Sequence, residues 1–454
     1  MLLETINPAT EKMLTSYKTI GNKKITEIIR QVHSDFLEWK NVSIEKRKKL
    51  MLNVAQVLRN NKYRYAEILT LEMGKPITQA IAEIEKCAWV VEHYAKNAKT
   101  MLAKENIKTD AKESFVQFDP LGIILAVMPW NFPFWQVFRF AAPALMAGNA
   151  AVLKHASNVT MSALTIEEIF QKSGLPKNIF RTLLIASGQV KNVIKNPLVK
   201  AVTLTGSEYA GSKVAMESGK VLKKTVMELG GSDPFIILED ANLKDASSIA
   251  VTARLLNNGQ SCIAAKRFIV VEKVYDKFLE LFKRKMKAVV IGNPLKNETG
   301  LGPIARKDLL LELHSQVIQS VKKGAKILMG GKIIKRKGYY YQATILTNVK
   351  KGMPAYEQEL FGPVASVIKV KNEKEAIYVA NDTPFGLGAS LWTENLSKAK
   401  ELAKQIDSGS VFINGMVKSD PRLPFGGVKL SGFGRELSHY GIKEFVNIKT
   451  IWIK

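Results

Sequence analysis

Apolar residues recur at helical spacing at Leu50, Val54, Val57 and Leu58, with Ser43 placed to cap the segment and Glu45 in its first turn. This pattern predicts a helix running to about Asn60. Elsewhere, short and almost wholly apolar runs lie between breakers at 122–127, 150–153, 201–204 and 267–272. Runs of that length without polar alternation describe strands covered on both faces, as in parallel sheets. Helical and strand signals alternate along most of the chain, so the expected class is α/β. Two β-prone stretches stand apart, 113–118 and 445–453. An unpaired edge invites a partner; these two either pair within the subunit or form an arm that contacts a neighbour.

With 454 residues and 46% hydrophobic content, the chain can bury more core than one compact domain usually holds, so two or three units are expected. The net charge of +26 raises the question of a polyanionic partner. The lysines are spread along the whole chain, however, with no basic tail, cluster or aromatic-basic motif. A solvated lysine-rich surface is expected, and no nucleic-acid partner. No run is long and apolar enough to cross a bilayer and the first residues lack a charged segment leading into an apolar one, so we expect a cytoplasmic protein with no membrane partner. Cys87 and Cys262 are the only cysteines, which excludes a disulfide framework and suits a reducing compartment. The histidines at 33, 93, 155, 314 and 439 show no paired ligand spacing, so no metal is expected.

The chemistry concentrates in a few segments. Cys262 follows the polar run Asn257-Asn258-Gly259-Gln260-Ser261, which reads as a flexible approach to an accessible thiol rather than as packed strand. Thiolates attack carbonyl carbons and leave a covalent adduct for a later step to resolve. Glu228 ends a strand-like run and precedes Gly230 and Gly231, whose dihedral freedom permits a sharp turn; it is either a surface carboxylate or the group that activates the resolving water. Asn131 lies in Pro129-Trp130-Asn131-Phe132-Pro133-Phe134-Trp135. Its amide either satisfies a loop carbonyl or points at the oxygen that becomes negative when sulfur attacks. Gly206 and Ser207 follow a strand and open a helix that includes Gly211, an arrangement whose N–H groups and hydroxyl suit a pyrophosphate.

Together with Lys154, the segment Glu359-Leu360-Phe361-Gly362-Pro363 and Pro424-Phe425-Gly426-Gly427, these motifs resemble the aldehyde dehydrogenase superfamily in order and spacing along nearly the whole chain. The resemblance implies a doubly wound Rossmann-like cofactor domain (1–110 and 133–227), an α/β catalytic domain (228–423) and a small β oligomerisation arm (111–132 and 424–454). It also implies homodimers or homotetramers. In that chemistry Cys262 attacks an aldehyde, the Asn131 amide and the Cys262 N–H hold the oxyanion, hydride leaves for a nicotinamide, and Glu228 activates water to hydrolyse the thioester. Trp130, Leu229, Glu359 and Phe361 would contact the cofactor. No second cysteine flanks Cys262, where Ser261, Ile263 and Ala264 stand, so no redox-switch disulfide of the kind some relatives use is expected.

Many NAD-using relatives carry a glutamate where this chain has Ser157. At roughly 4 Å and an effective dielectric near 20, a carboxylate repels each unit of negative charge on a 2′-phosphate by on the order of 4 kcal/mol before screening. Serine removes that repulsion and Lys154 supplies attraction, so NADP is expected ahead of NAD; the other reading is that Ser157 admits either. A helix after Pro133 puts Trp135 and Arg139 on one face, and Arg139 is suited to gripping a carboxylate. With Ser261 and Ser419, these residues resemble the succinate-semialdehyde dehydrogenase branch, so the expected substrate is a small anionic aldehyde. The alternatives are an ion pair for Arg139 and a broad-range enzyme acting on other short aldehydes.

Overall fold

The computed structural model describes residues 1–454 and contains two sheets with parallel cores, each covered by helices on both faces. Ser43 caps the helix Ile44–Asn60, accepting from the Lys46 N–H at 3.4 Å. Its buried seam is Met51, Val54, Ala55 and Leu58, with Leu50 and Val57 on the flank. The apolar runs become the buried strands Ile123–Met128, Ala150–His155, Val199–Thr205 and Ala265–Val271.

The first sheet runs in the order Lys224–Glu228, Val199–Thr205, Ile123–Met128, Ala150–His155, Phe180–Thr182, all parallel, with Gly432–Phe433 added antiparallel at the Lys224–Glu228 edge. Sequential strands leave Ile123–Met128 in one direction and then in the other. The order therefore reverses between Ile123–Met128 and Val199–Thr205, and crevices at such a reversal bind ligands beyond the carboxyl ends of the strands. Pro129–Asn131 and Gly206–Ser207 emerge at those two ends. The second sheet is Lys326–Met329, Thr344–Thr347, Val364–Val370, Ala265–Val271, Asp233–Ile237, Ala389–Trp392 and Val411–Ile413. Glu228 ends a strand of the first sheet, and Asp233 begins a strand of the second. The short Leu229–Ser232 link thus brings the carboxyl edge of one sheet against the amino edge of the other, where Cys262 precedes Ala265–Val271.

The two isolated stretches pair with each other: Val446–Ile453 runs antiparallel to Glu113–Pro120 from Val446↔Pro120 to Ile453↔Glu113. The arm is smaller than the resemblance implied. Ile123–Met128 lies inside the first sheet, and Phe425, Leu437, Ile442 and Phe445 pack into the core beneath it, because these side chains are apolar and find cover there. Of the residues assigned to the arm, those of 113–120 and 446–453 form it. No helix is long and apolar enough to cross a membrane.

Candidate active site

A cleft of about 630 Å³ opens between the sheets, lined among others by Trp130, Asn131, Gln136, Ser207, Leu229, Cys262, Glu359 and Phe361. Trp130 and Phe361 meet edge to face with ring centres 5.6 Å apart, closing one side. Ser207 caps the helix Glu208–Gly219, its oxygen accepting from the Ala210 N–H at 3.3 Å, and its hydroxyl hydrogen is left for another acceptor. Gly211 does not line the cleft. A Cβ there would meet Leu229 Cδ2 at 2.5 Å, so Gly211 acts by letting Leu229 reach its place in the wall.

The run before Cys262 is not the flexible approach that its composition suggests. Asn257 and Asn258 are buried in the left-handed region at φ 57° and 58°, and their side chains are bonded from several directions. Asn257 Nδ2 donates to the carbonyls of Asn131 (2.7 Å) and Gln260 (2.9 Å). Asn258 donates to the Gly74 and Pro303 carbonyls and accepts from the Gly302 N–H. Gly259, at φ 73°, passes so close to Gly362 that a Cβ would stand 2.4 Å from its carbonyl carbon. These amides replace water around a buried turn, which is why polar residues there mean rigidity.

Lys266 was not predicted from sequence. Its Nζ donates to the carbonyls of Ser261 (2.8 Å), Cys262 (2.7 Å) and Ala264 (3.2 Å) and pairs with Glu359 at 3.1 Å. The signal was available as a lysine near the start of an otherwise largely apolar strand, where a buried charge must find partners. Burial pushes the Cys262 thiol up to about 12, against the opposing pull of Lys266 and Arg139. The resting sulfur is therefore protonated at neutral pH.

Asn131 Nδ2 donates to the Gln260 carbonyl at 3.1 Å, and its Oδ1 accepts from Gln136 Nε2 at 3.1 Å. Both alternatives for this amide are thus compatible: one hydrogen satisfies a loop carbonyl, while the second remains. Gln136, also missed from sequence, fixes which way the amide points. The Cys262 N–H has no acceptor within the chain. Behind the loop, His155 accepts from the Ala156 N–H and so donates through Nε2 to the Pro133 carbonyl at 2.9 Å; burial lowers its pKa to about 4 and keeps it neutral.

Glu228 is buried, but its carboxylate does not line the cleft. It lies beside Gly426, without a hydrogen-bond partner. Burial and the neighbouring Glu436 carboxylate raise its pKa well above the ordinary value. Glu436 also claims Arg139: the two form an ion pair, while Arg139 Nη2 donates to Thr205 Oγ1 at 3.3 Å and the guanidinium lies over Phe425. The ion pair named as the alternative for Arg139 is therefore present, and Nη1 is left without a partner. Glu436 is distant in sequence, and no local pattern marks it. Trp135 and Ser419 are brought together through Lys86, whose Nζ donates to Ser419 Oγ at 2.8 Å and sits 4.2 Å from the Trp135 ring centre. Ser261 is nearly enclosed and contributes its carbonyl to Lys266. Lys154 makes no ion pair and Ser157 is exposed at the end of the Ala150–His155 strand, both outside the cleft wall proper. Cys87 is fully buried.

A single thiol in the cleft, with an oriented amide beside it, is the arrangement expected of an enzyme that works through a sulfur adduct. The chain matches the aldehyde dehydrogenase family over residues 1–451 and belongs to it. It is 49% identical over 453 residues to a probable NADP(+) succinate-semialdehyde dehydrogenase of Synechocystis, with both chains covered completely. It is 45% identical over 456 residues to the NADP(+) succinate-semialdehyde dehydrogenase of Mycobacterium leprae, again at full coverage. The crystal structure of succinic semialdehyde dehydrogenase from Streptococcus pyogenes in complex with NADP+ superposes with a TM-score of 0.97 at 39% identity, covering 99% of each chain.

Proposed function

We propose that this protein oxidises succinate semialdehyde to succinate with NADP+. The observation that carries the reading is the meeting of Cys262 and the Asn131 amide in one cleft, with the Arg139 charge within electrostatic reach of the thiol. The names of the relatives agree on substrate and cofactor. The residues present fit NADP: a half-buried Lys154 amine without an ion pair, a serine rather than a carboxylate at 157, and a capped helix start at Ser207.

Cys262 gives up its proton to water and, as the thiolate, attacks the aldehyde carbon to give a thiohemiacetal. The free hydrogen of Asn131 Nδ2 and the Cys262 N–H meet the oxyanion. The chemistry that NADP+ supplies when bound is acceptance of hydride from that carbon, which leaves a thioester on Cys262. Glu228, turned from its place beside Gly426, takes a proton from water, and the resulting hydroxide adds to the thioester carbon and expels the Cys262 thiolate, releasing the acid. The rigid turn held by Lys266, Asn257 and Asn258 keeps sulfur and amide in register through both steps.

The Arg139–Glu436 pair favours a second reading, a broad-range enzyme on short aldehydes, because it occupies the residue assigned to the substrate carboxylate. Initial rates of NADPH and NADH formation with succinate semialdehyde, beside acetaldehyde, hexanal and glutarate semialdehyde, separate the two. Preference for succinate semialdehyde with NADP+ supports the first reading; a flat aldehyde profile selects the second.

A further inference from the structure

Lys86 lies on the helix Ile77–Met101, mostly covered, and no carboxylate pairs with it. The acids nearest to it are already engaged. Glu83 pairs with Lys75 and accepts from the Phe134 and Trp135 N–H groups. Asp420 is held by Arg422 through two side-chain contacts. The remaining charged group in reach is Arg139, which repels it; burial first and Arg139 second lower the Lys86 pKa to about 8. Glu436 answers the charge of Arg139 but forms no ion pair with Lys86, and a covered ammonium without a counter-ion is unfavourable unless a ligand supplies the negative charge.

The surroundings also hold donors suited to such a charge. Trp135 and Arg139 share a face of the helix Trp135–Met146, one turn apart, and Lys86 lies against the Trp135 ring. Ser419 Oγ accepts from Lys86, so its own hydrogen is free to donate. Arg139 Nη1 is free as well. Lys86 Nζ keeps hydrogens beyond the one it gives to Ser419, so three groups from three separate elements hold unused donors on this side of Trp135.

We propose that Lys86 is a specificity residue that, with Arg139 Nη1 and the Ser419 hydroxyl, grips the carboxylate of the aldehyde substrate. The proposal rests on the reading above that the substrate is a semialdehyde. It assigns to the ammonium the anion-gripping capacity that Arg139 has given in part to Glu436.

The test is the ratio of kcat/KM for succinate semialdehyde to that for butanal, an uncharged aldehyde of the same carbon count. Lys86→Met and Lys86→Gln are expected to lower the ratio about tenfold or more, the worth of one charge-assisted hydrogen bond. Lys86→Arg, which keeps the charge, is expected to restore most of it. Thermal melting and NADP+ binding identify a variant that fails to fold, and Lys86→Gln, which can still donate to Ser419, then decides. A ratio within about twofold of wild type in the folded neutral variants overturns the role of Lys86, as does a Lys86→Arg protein as deficient as Lys86→Met. Should the wild type itself show no preference for the anionic aldehyde, the substrate reading fails first and the role of Lys86 falls with it.

Discussion

Cys262 and Asn131 are set up by neighbours that do not react. Gln136 holds the Asn131 oxygen and thereby aims the amide. Gln136→Leu is expected to lower kcat/KM roughly tenfold, well short of the hundredfold to thousandfold loss expected of Asn131→Ala, because the amide can still visit its working orientation. Steady-state kinetics of the two variants check this. The protonated thiol makes a second prediction. With a pKa of about 12, the thiolate fraction in the ligand-free protein rises about tenfold per pH unit from pH 7 to 10. Inactivation by iodoacetamide should climb with the same slope; a rate constant that levels off near pH 8 contradicts it. These residue-scale features were unevenly legible: Cys262, Asn131 and Glu228 stood out by composition and neighbours, whereas Gln136 and Lys266 matter only because the chain folds them back onto the loop.

At the scale of elements, close approach decides more than side-chain chemistry does. The helix Glu208–Gly219 and the Glu228–Gly231 turn fit because Gly211 leaves room for Leu229. Gly211→Ala should weaken NADP+ binding several-fold and lower stability by about 1–3 kcal/mol, the usual range for overpacking. Titration with NADP+ and denaturant melts measure both. The strands were readable from sequence since parallel sheets buried on both faces leave uninterrupted apolar runs. The loop at 257–261 reads as flexible yet is rigid, because buried amide networks and flexible polar loops have the same composition and differ only in their partners.

For the whole molecule, the arm formed by Val446–Ile453 and Glu113–Pro120 leaves Ile448 and Trp452 about half exposed or more on an outer strand. An edge of this kind is a natural place for a second subunit. Sedimentation should show a homo-oligomer that Ile448→Lys with Trp452→Lys shifts toward monomer. Aldehyde oxidation per folded subunit should persist if each cleft is complete in one chain, as the lining residues imply.

The sequence by itself determined the class of fold and the reacting groups, since burial patterns follow from local hydrophobicity and the motifs from the chemistry of each residue type. It also carried the resemblance on which the roles of Ser157 and Phe361 rest. Only the tertiary structure decided how charges are shared. Glu436 reaches Arg139 and Lys86 reaches Ser419 across hundreds of residues, and a charge buried at such a distance from its partner leaves no periodic trace in the chain that encodes it.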